Sequence, residues 1–183
     1  MLFRSPAAQT RDKNAVSPSD MVRLCDELRG EVDWILIDSP AGIERGFRNS
    51  VAPADKVLIV TNPEMSAVRD ADRVIGLLEA EEKPTPSLII NRLNPNMVKR
   101  GDMLSVDDVY DLLRIDVIGI VPEDENVIVA SNRGTPLAMD GKSKAGQAFR
   151  NIAQRLNRSE EHPLTSSHVS QTRIPSSAGK KKK

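Results

Sequence analysis

Asp38 closes a short apolar run, residues 34–37 (Trp-Ile-Leu-Ile), and the chain then breaks at Ser39, Pro40 and Gly42. A buried strand that delivers a carboxylate to the mouth of an α/β sheet is the usual setting for the Mg²⁺ of a nucleotide. The same residues also fit an ordinary strand-end Asp that bonds its own turn. Gly141-Lys142-Ser143 imitates the end of a phosphate-binding loop, but Pro136 stands where that loop requires a glycine, and no strand precedes it. The imitation therefore carries no phosphate chemistry. Cys25 is the single cysteine, which excludes an internal disulfide and a cysteine zinc site. Both histidines, His162 and His168, fall in the last stretch, so the folded part is expected to have no histidine base.

The elements that must position Asp38 follow from spacing. Ser17-Pro18-Ser19-Asp20 predicts a helix start, with Ser17 as cap, and that helix turns Met21, Leu24, Cys25 and Leu28 inward before Gly30 stops it. Strands are expected at 34–38, 56–61, 88–91 and 116–121. Helices are expected at 66–82, 105–114, 126–130 and 145–156. In the 66–82 helix, Val68, Ala71, Ile75 and Leu78 share one face. Strands that alternate with helices and are apolar on both faces predict an α/β fold, a parallel sheet with helices on both sides.

Composition narrows the rest. Aromatics make up 3%, so the core is aliphatic. Formal net charge is zero, yet residues 158–183 hold six Lys/Arg against two Glu, a net of +4. The folded part is thus acidic, which argues against a nucleic-acid binder. The expected organisation is a folded domain over 1–157 and a polar, basic, disordered tail over 158–183. No run reaches membrane-spanning length and residues 1–9 lack a signal-peptide core, so a soluble, reducing compartment is expected.

Several words of the sequence, in order, carry a resemblance. They are residues 6–13 (Pro-Ala-Ala-Gln-Thr-Arg-Asp-Lys), 38–44 (Asp-Ser-Pro-Ala-Gly-Ile-Glu), 61–64 (Thr-Asn-Pro-Glu) and 68–73 (Val-Arg-Asp-Ala-Asp-Arg). They continue with 100–105 (Arg-Gly-Asp-Met-Leu-Ser), 120–124 (Ile-Val-Pro-Glu-Asp) and 130–134 (Ala-Ser-Asn-Arg-Gly). This collinear set resembles the MinD group of the deviant Walker A (ParA/MinD) ATPases, cyanobacterial and plastid-type members above all. The resemblance implies a P-loop NTPase fold of the SIMIBI type and a division-site regulator that binds ATP and Mg²⁺, dimerises and joins the membrane from the cytoplasm or plastid stroma. It implies that Asp38 holds Mg²⁺ through water and opens switch II at 39–44. It further implies that Asn91, Pro122 and Glu123 flank the base, where the bland reading is a strand-end Asn and a helix-start Pro-Glu. Arg69, Asp70, Asp72 and Arg73 match the helix on which MinC-like and MinE-like partners dock, though a mixed-charge helix face is commonly just solvated.

Two departures set further expectations. The family's glycine-rich loop with its two lysines is absent from the 183 residues, so the resemblance covers the fold without its N-terminal portion. The chain alone is therefore expected not to hydrolyse ATP, and a non-catalytic module that binds MinC-like or MinE-like proteins is the alternative. The family's amphipathic C-terminal helix has no counterpart either. Residues 159–183 contain Pro163 and Pro175 and no apolar face, so Lys180–Lys183 can give only weak, salt-sensitive membrane attraction.

Overall fold

The computed structural model describes residues 16–39 and 45–161, which fall into two compact units, Met1–Val57 and Leu58–Lys183. In the first unit, α1 (Pro18–Leu28) begins as expected. Ser17 Oγ accepts from the Asp20 amide and Asp20 accepts from the Ser17 amide, a reciprocal capping box with Pro18 at the first helical position. Helix α2 (Arg45–Val51) packs on α1, and Cys25, Phe47 and Val51 are the buried residues of the pair. Leu24 departs from expectation: it is exposed, because the inward stripe of this short helix is carried by Cys25, with Met21 and Leu28 half-buried. Arg29 closes the unit with a two-pronged ion pair to Asp55, at 2.9 and 3.0 Å.

Residues 34–39 correct the first strand expectation, since they carry no strand. Leu36 is 82% exposed, Trp34 is exposed and Asp38 is exposed. An apolar run becomes a strand only where a neighbour supplies ladder hydrogen bonds, and no described residue pairs with this one. Asp38 thus ends a segment without regular secondary structure rather than a sheet strand.

The second unit holds a parallel sheet in the order β1 (Leu58–Thr61), β2 (Ser87–Leu93), β3 (Val117–Pro122). β1 pairs with β2 from Leu58↔Ser87 to Thr61↔Ile90. The crossover from β1 to β2 is α3 (Met65–Ala80), whose Val68, Ala71, Ile75 and Leu78 are all buried, on the face that the spacing predicts. The crossover from β2 to β3 holds α4 (Pro95–Arg100) and α5 (Val106–Leu113), the latter opened by a second capping box, Ser105 with Asp108. After β3 come α6 (Asn126–Asn132), a 3₁₀ turn (Leu137–Met139) and α7 (Lys144–Glu161), which runs past the expected end at Leu156.

Leu88 and Ile90 of β2 are fully buried, as their central place requires. In β1, Ile59 and Thr61 are buried while Leu58 and Val60 are exposed. α7 lies against β3, where Ile118, Val121, Ala145 and Ile152 form a cluster. The approach is close enough that a Cβ on Gly119 would clash with the Ile152 side chain. Arg155 of α7 also donates to the Ile118 carbonyl at 2.6 Å. Among the described residues, no helix is long and apolar enough to cross a membrane.

Candidate functional site

In an open parallel sheet, ligands bind outside the carboxyl ends of the strands, where the chain turns from strand to helix. Here the carboxyl ends of β2 and β3 are joined in an unusual way. The pairing Ile90↔Ile120 is followed by Leu93↔Pro122, so Asn91 and Arg92 stand opposite Val121 alone. Such a bulge is rare between parallel strands. Arg92 absorbs it with φ 58°, in the left-handed region that a side chain disfavours.

The loop after β3 is tied on two sides. The Glu123 amide donates to the Leu93 carbonyl at 3.0 Å. The Glu123 carboxylate accepts from Arg92 Nη2 at 3.3 Å and from Asn94 Nδ2 at 2.9 Å. The Asn94 amide and then the Arg92 guanidinium hold that carboxyl below its ordinary range. Asn94 also caps α4, its Oδ1 accepting from the amides of Asn96 and Met97. On the other side, Asp124 accepts from the Asn126 amide at 2.9 Å and from Ser143 Oγ at 2.9 Å, which lowers its pKa in that order of effect. Ser143 in turn accepts from the Gly146 amide at 3.0 Å, at the start of α7.

These ties frame an open pocket of about 450 Å³ lined by residues 122–126 and 142–144. Pro122 and Glu123 therefore meet at one pocket, whereas Asn91 sits half-buried on β2 and does not line it. Asp38 belongs to the first unit and lies exposed on a segment without regular secondary structure. Residues 40–44 of the expected switch, and the stretch 6–13, fall outside the described residues, as do His162, His168 and Lys180–Lys183. Arg69, Asp70, Asp72 and Arg73 are exposed on α3, with Arg73 and Asp70 in a loose ion pair at 3.9 Å. Ser143 is a buried helix-starting serine, with no strand before it, in line with its exclusion as a phosphate loop. Sequence reasoning missed Arg92, Asn94 and Asp124 as parts of the site. Asn94-Pro95, a cap followed by a first-turn proline, was the available signal for the second of these.

The model of the family described as cellulose biosynthesis protein BcsQ matches residues 5–156. The septum site-determining protein MinD of Synechocystis is 57% identical over 152 residues, 82% of this chain and 57% of that protein. Among solved structures, the MinC:MinD cell division protein complex of Aquifex aeolicus has a TM-score of 0.75 at 48% identity, covering 82% of this chain and 62% of that one. The MinD of Pyrococcus horikoshii, complexed with Mg-ADP, shares the fold at 24% identity and a TM-score of 0.67, over 77% of this chain and 57% of that one. The chain spans about three-fifths of the length of the curated relatives it matches. It belongs to the family that the BcsQ model describes, the ParA/MinD ATPases, and within that family it is similar to the septum site-determining MinD proteins.

Proposed function

We propose that this chain acts in placing the division septum, as a MinD-like regulator that responds to ATP. The observation that carries the reading is α3. Its apolar face is buried within its own unit while Arg69, Asp70, Asp72 and Arg73 stand exposed along its polar face. A MinC-like protein, the partner in the Aquifex complex, is the first candidate to dock there, with a MinE-like protein as a competitor for the same face. Reversing charge at two of these positions, Arg69→Glu with Asp72→Arg, abolishes binding in a titration with the cognate MinC-like protein if the reading is right. Unchanged affinity removes α3 from consideration.

The nucleotide side of the proposal rests on the carboxyl end of the sheet. Pro122 and Glu123, which the resemblance matches to the base-flanking loop, line the open pocket after β3, and Asn91 lies near the end of the neighbouring strand β2. Asp38 would hold Mg²⁺ through water, and the ion when bound neutralises phosphate charge. The described residues contain no cluster of three or more His, Cys, Asp or Glu suited to a metal. The loop amides and lysines that cradle phosphates are not in this sequence. Losing a single well-placed donor costs ~10²–10³ in rate, so phosphate release by this chain stays at background with saturating ATP and Mg²⁺. Turnover that Asp38→Ala abolishes would overturn that expectation. In the intact family an ATP-dependent dimer and membrane attachment accompany this role; for this chain Lys180–Lys183 offer only weak, salt-sensitive attraction to an anionic surface.

A second reading, a non-catalytic module for MinC-like or MinE-like partners, is favoured by the completeness of α3 within its own unit. Partner affinity that rises with ATP and Mg²⁺ supports the regulator, and affinity indifferent to nucleotide supports the module.

A further inference from the structure

Glu123 bonds three successive residues of the β2 end. Its carboxylate takes the Arg92 guanidinium and the Asn94 amide, and its backbone N–H takes the Leu93 carbonyl between them. Arg92 is the left-handed residue of the bulge, so the grip falls on the second of the two places where the β2–β3 ladder loses register, the one at its carboxyl end. A bulge held in a disfavoured conformation persists only where its surroundings over-determine it. Asp124, the next residue, bonds in the opposite direction, to Ser143 at the start of α7. Two adjacent acids thus pull one short loop toward two different elements, and that loop forms a wall of the pocket.

We propose that Glu123 is a positioning residue rather than a nucleotide ligand: with Arg92 and Asn94 it fixes the bulge at the end of β2 and so sets the loop at residues 122–126 for the base. The functional part of this inference rests on reading the pocket as the base side of a nucleotide site. Both oxygens of the carboxylate are engaged, Oε1 by Arg92 and Oε2 by Asn94, which directs it back toward the sheet end. With that carboxylate engaged, the loop still brings Pro122, Glu125 and Asn126 to the pocket wall. Arg92 and Glu123 are both well exposed, so the pair contributes geometry more than stability.

Asn94→Asp is the discriminating variant. It keeps an oxygen to cap α4, because Asp caps as well as Asn, but it replaces the donor to Glu123 with a second carboxylate. The double variant Asn94→Asp with Glu123→Gln restores a donor and an acceptor in reversed order. Amide hydrogen exchange at Glu123 and Asn126, measured on the chain without nucleotide, rises about tenfold in Asn94→Asp and returns in the double variant, the size of effect that loss of a charged hydrogen bond gives. The thermal midpoint stays near that of the parent. Exchange unchanged in both Asn94→Asp and Glu123→Ala, or not restored in the double, overturns the grip. A second measurement uses Mg²⁺ with N-methylanthraniloyl-ADP as the probe. Affinity that falls in the single and recovers in the double supports the role in base binding, and equal affinity in all variants overturns it. If the parent chain does not bind the probe while exchange responds as expected, the reading of the pocket falls and the grip stands.

Discussion

Residues 34–38 and Val117–Pro122 look alike as sequence, and the fold treats them as opposites. Each is a short aliphatic run that ends at a turn, and each reads as a buried strand of a parallel sheet. The second becomes β3, paired with β2 and pressed by α7, with Ile118 and Val121 buried. The first takes no regular secondary structure, with Leu36 82% exposed. Apolar composition gives a strand something to bury, but its backbone donors and acceptors need a partner, and that partner is specified elsewhere in the chain. The contrast separates what a segment encodes about itself from what its neighbours grant it.

The contrast breaks or sharpens under substitution. Ile90, in the strand that β3 pairs with, is fully buried, so Ile90→Ala costs about 2–5 kcal/mol in chemical denaturation. Gly119→Ala comes next, because the new methyl group must displace Ile152 across the β3–α7 contact. Overpacking of that kind costs about 1–3 kcal/mol, and Ile152→Ala in the same chain recovers part of it. A Gly119→Ala protein as stable as the parent would show that α7 sits loosely on β3.

The two capping boxes test signals that are local in both units. Ser105→Ala removes the cap of α5 and costs about 1 kcal/mol, with a comparable effect at Ser17 on α1. Hydrogen bonds from the Ser105 hydroxyl and then its amide hold the Asp108 carboxyl below its ordinary range, and Ser17 does the same for Asp20. A carboxyl depressed in the folded state stabilises above its unfolded pKa, near pH 4, and that contribution is lost as pH falls through the lower folded value. Stability measured from pH 6 downward therefore falls less steeply in either Ser→Ala variant than in the parent. Smallest of all is Leu36→Ala, expected within about 0.5 kcal/mol of the parent because the side chain is already in water. A loss as large as that of Ile90→Ala would mean that residues 34–38 are packed after all.

What the sequence disclosed follows the same division. The buried face of α3, the caps at Ser17 and Ser105, and the parallel alternation of β1, β2 and β3 are set by spacing within short windows, and all were legible. Leu24 was misjudged because a short helix with one neighbour buries a narrower stripe than periodicity suggests. α2 and α4, of seven and six residues, escaped notice, although α6, equally short, was expected at 126–130. At the candidate site, Pro122 and Glu123 were singled out through family resemblance. The bond from Glu123 back to Arg92 and Asn94 depends on a bulge that no local pattern announces.

The glycine contact between β3 and α7 also bears on how the chain is made. A ribosome delivers Gly119 well before Ile152, at about 5–20 residues per second. For those seconds β3 has its pairing partner β2 available but lacks the helix that will close over it. Because Gly119 has no side chain, the Ile152 side chain can seat against β3 once α7 has been made, without displacing the strand. The seam is compatible with a sheet that pairs first and is covered by α7 afterwards, the order in which synthesis delivers them.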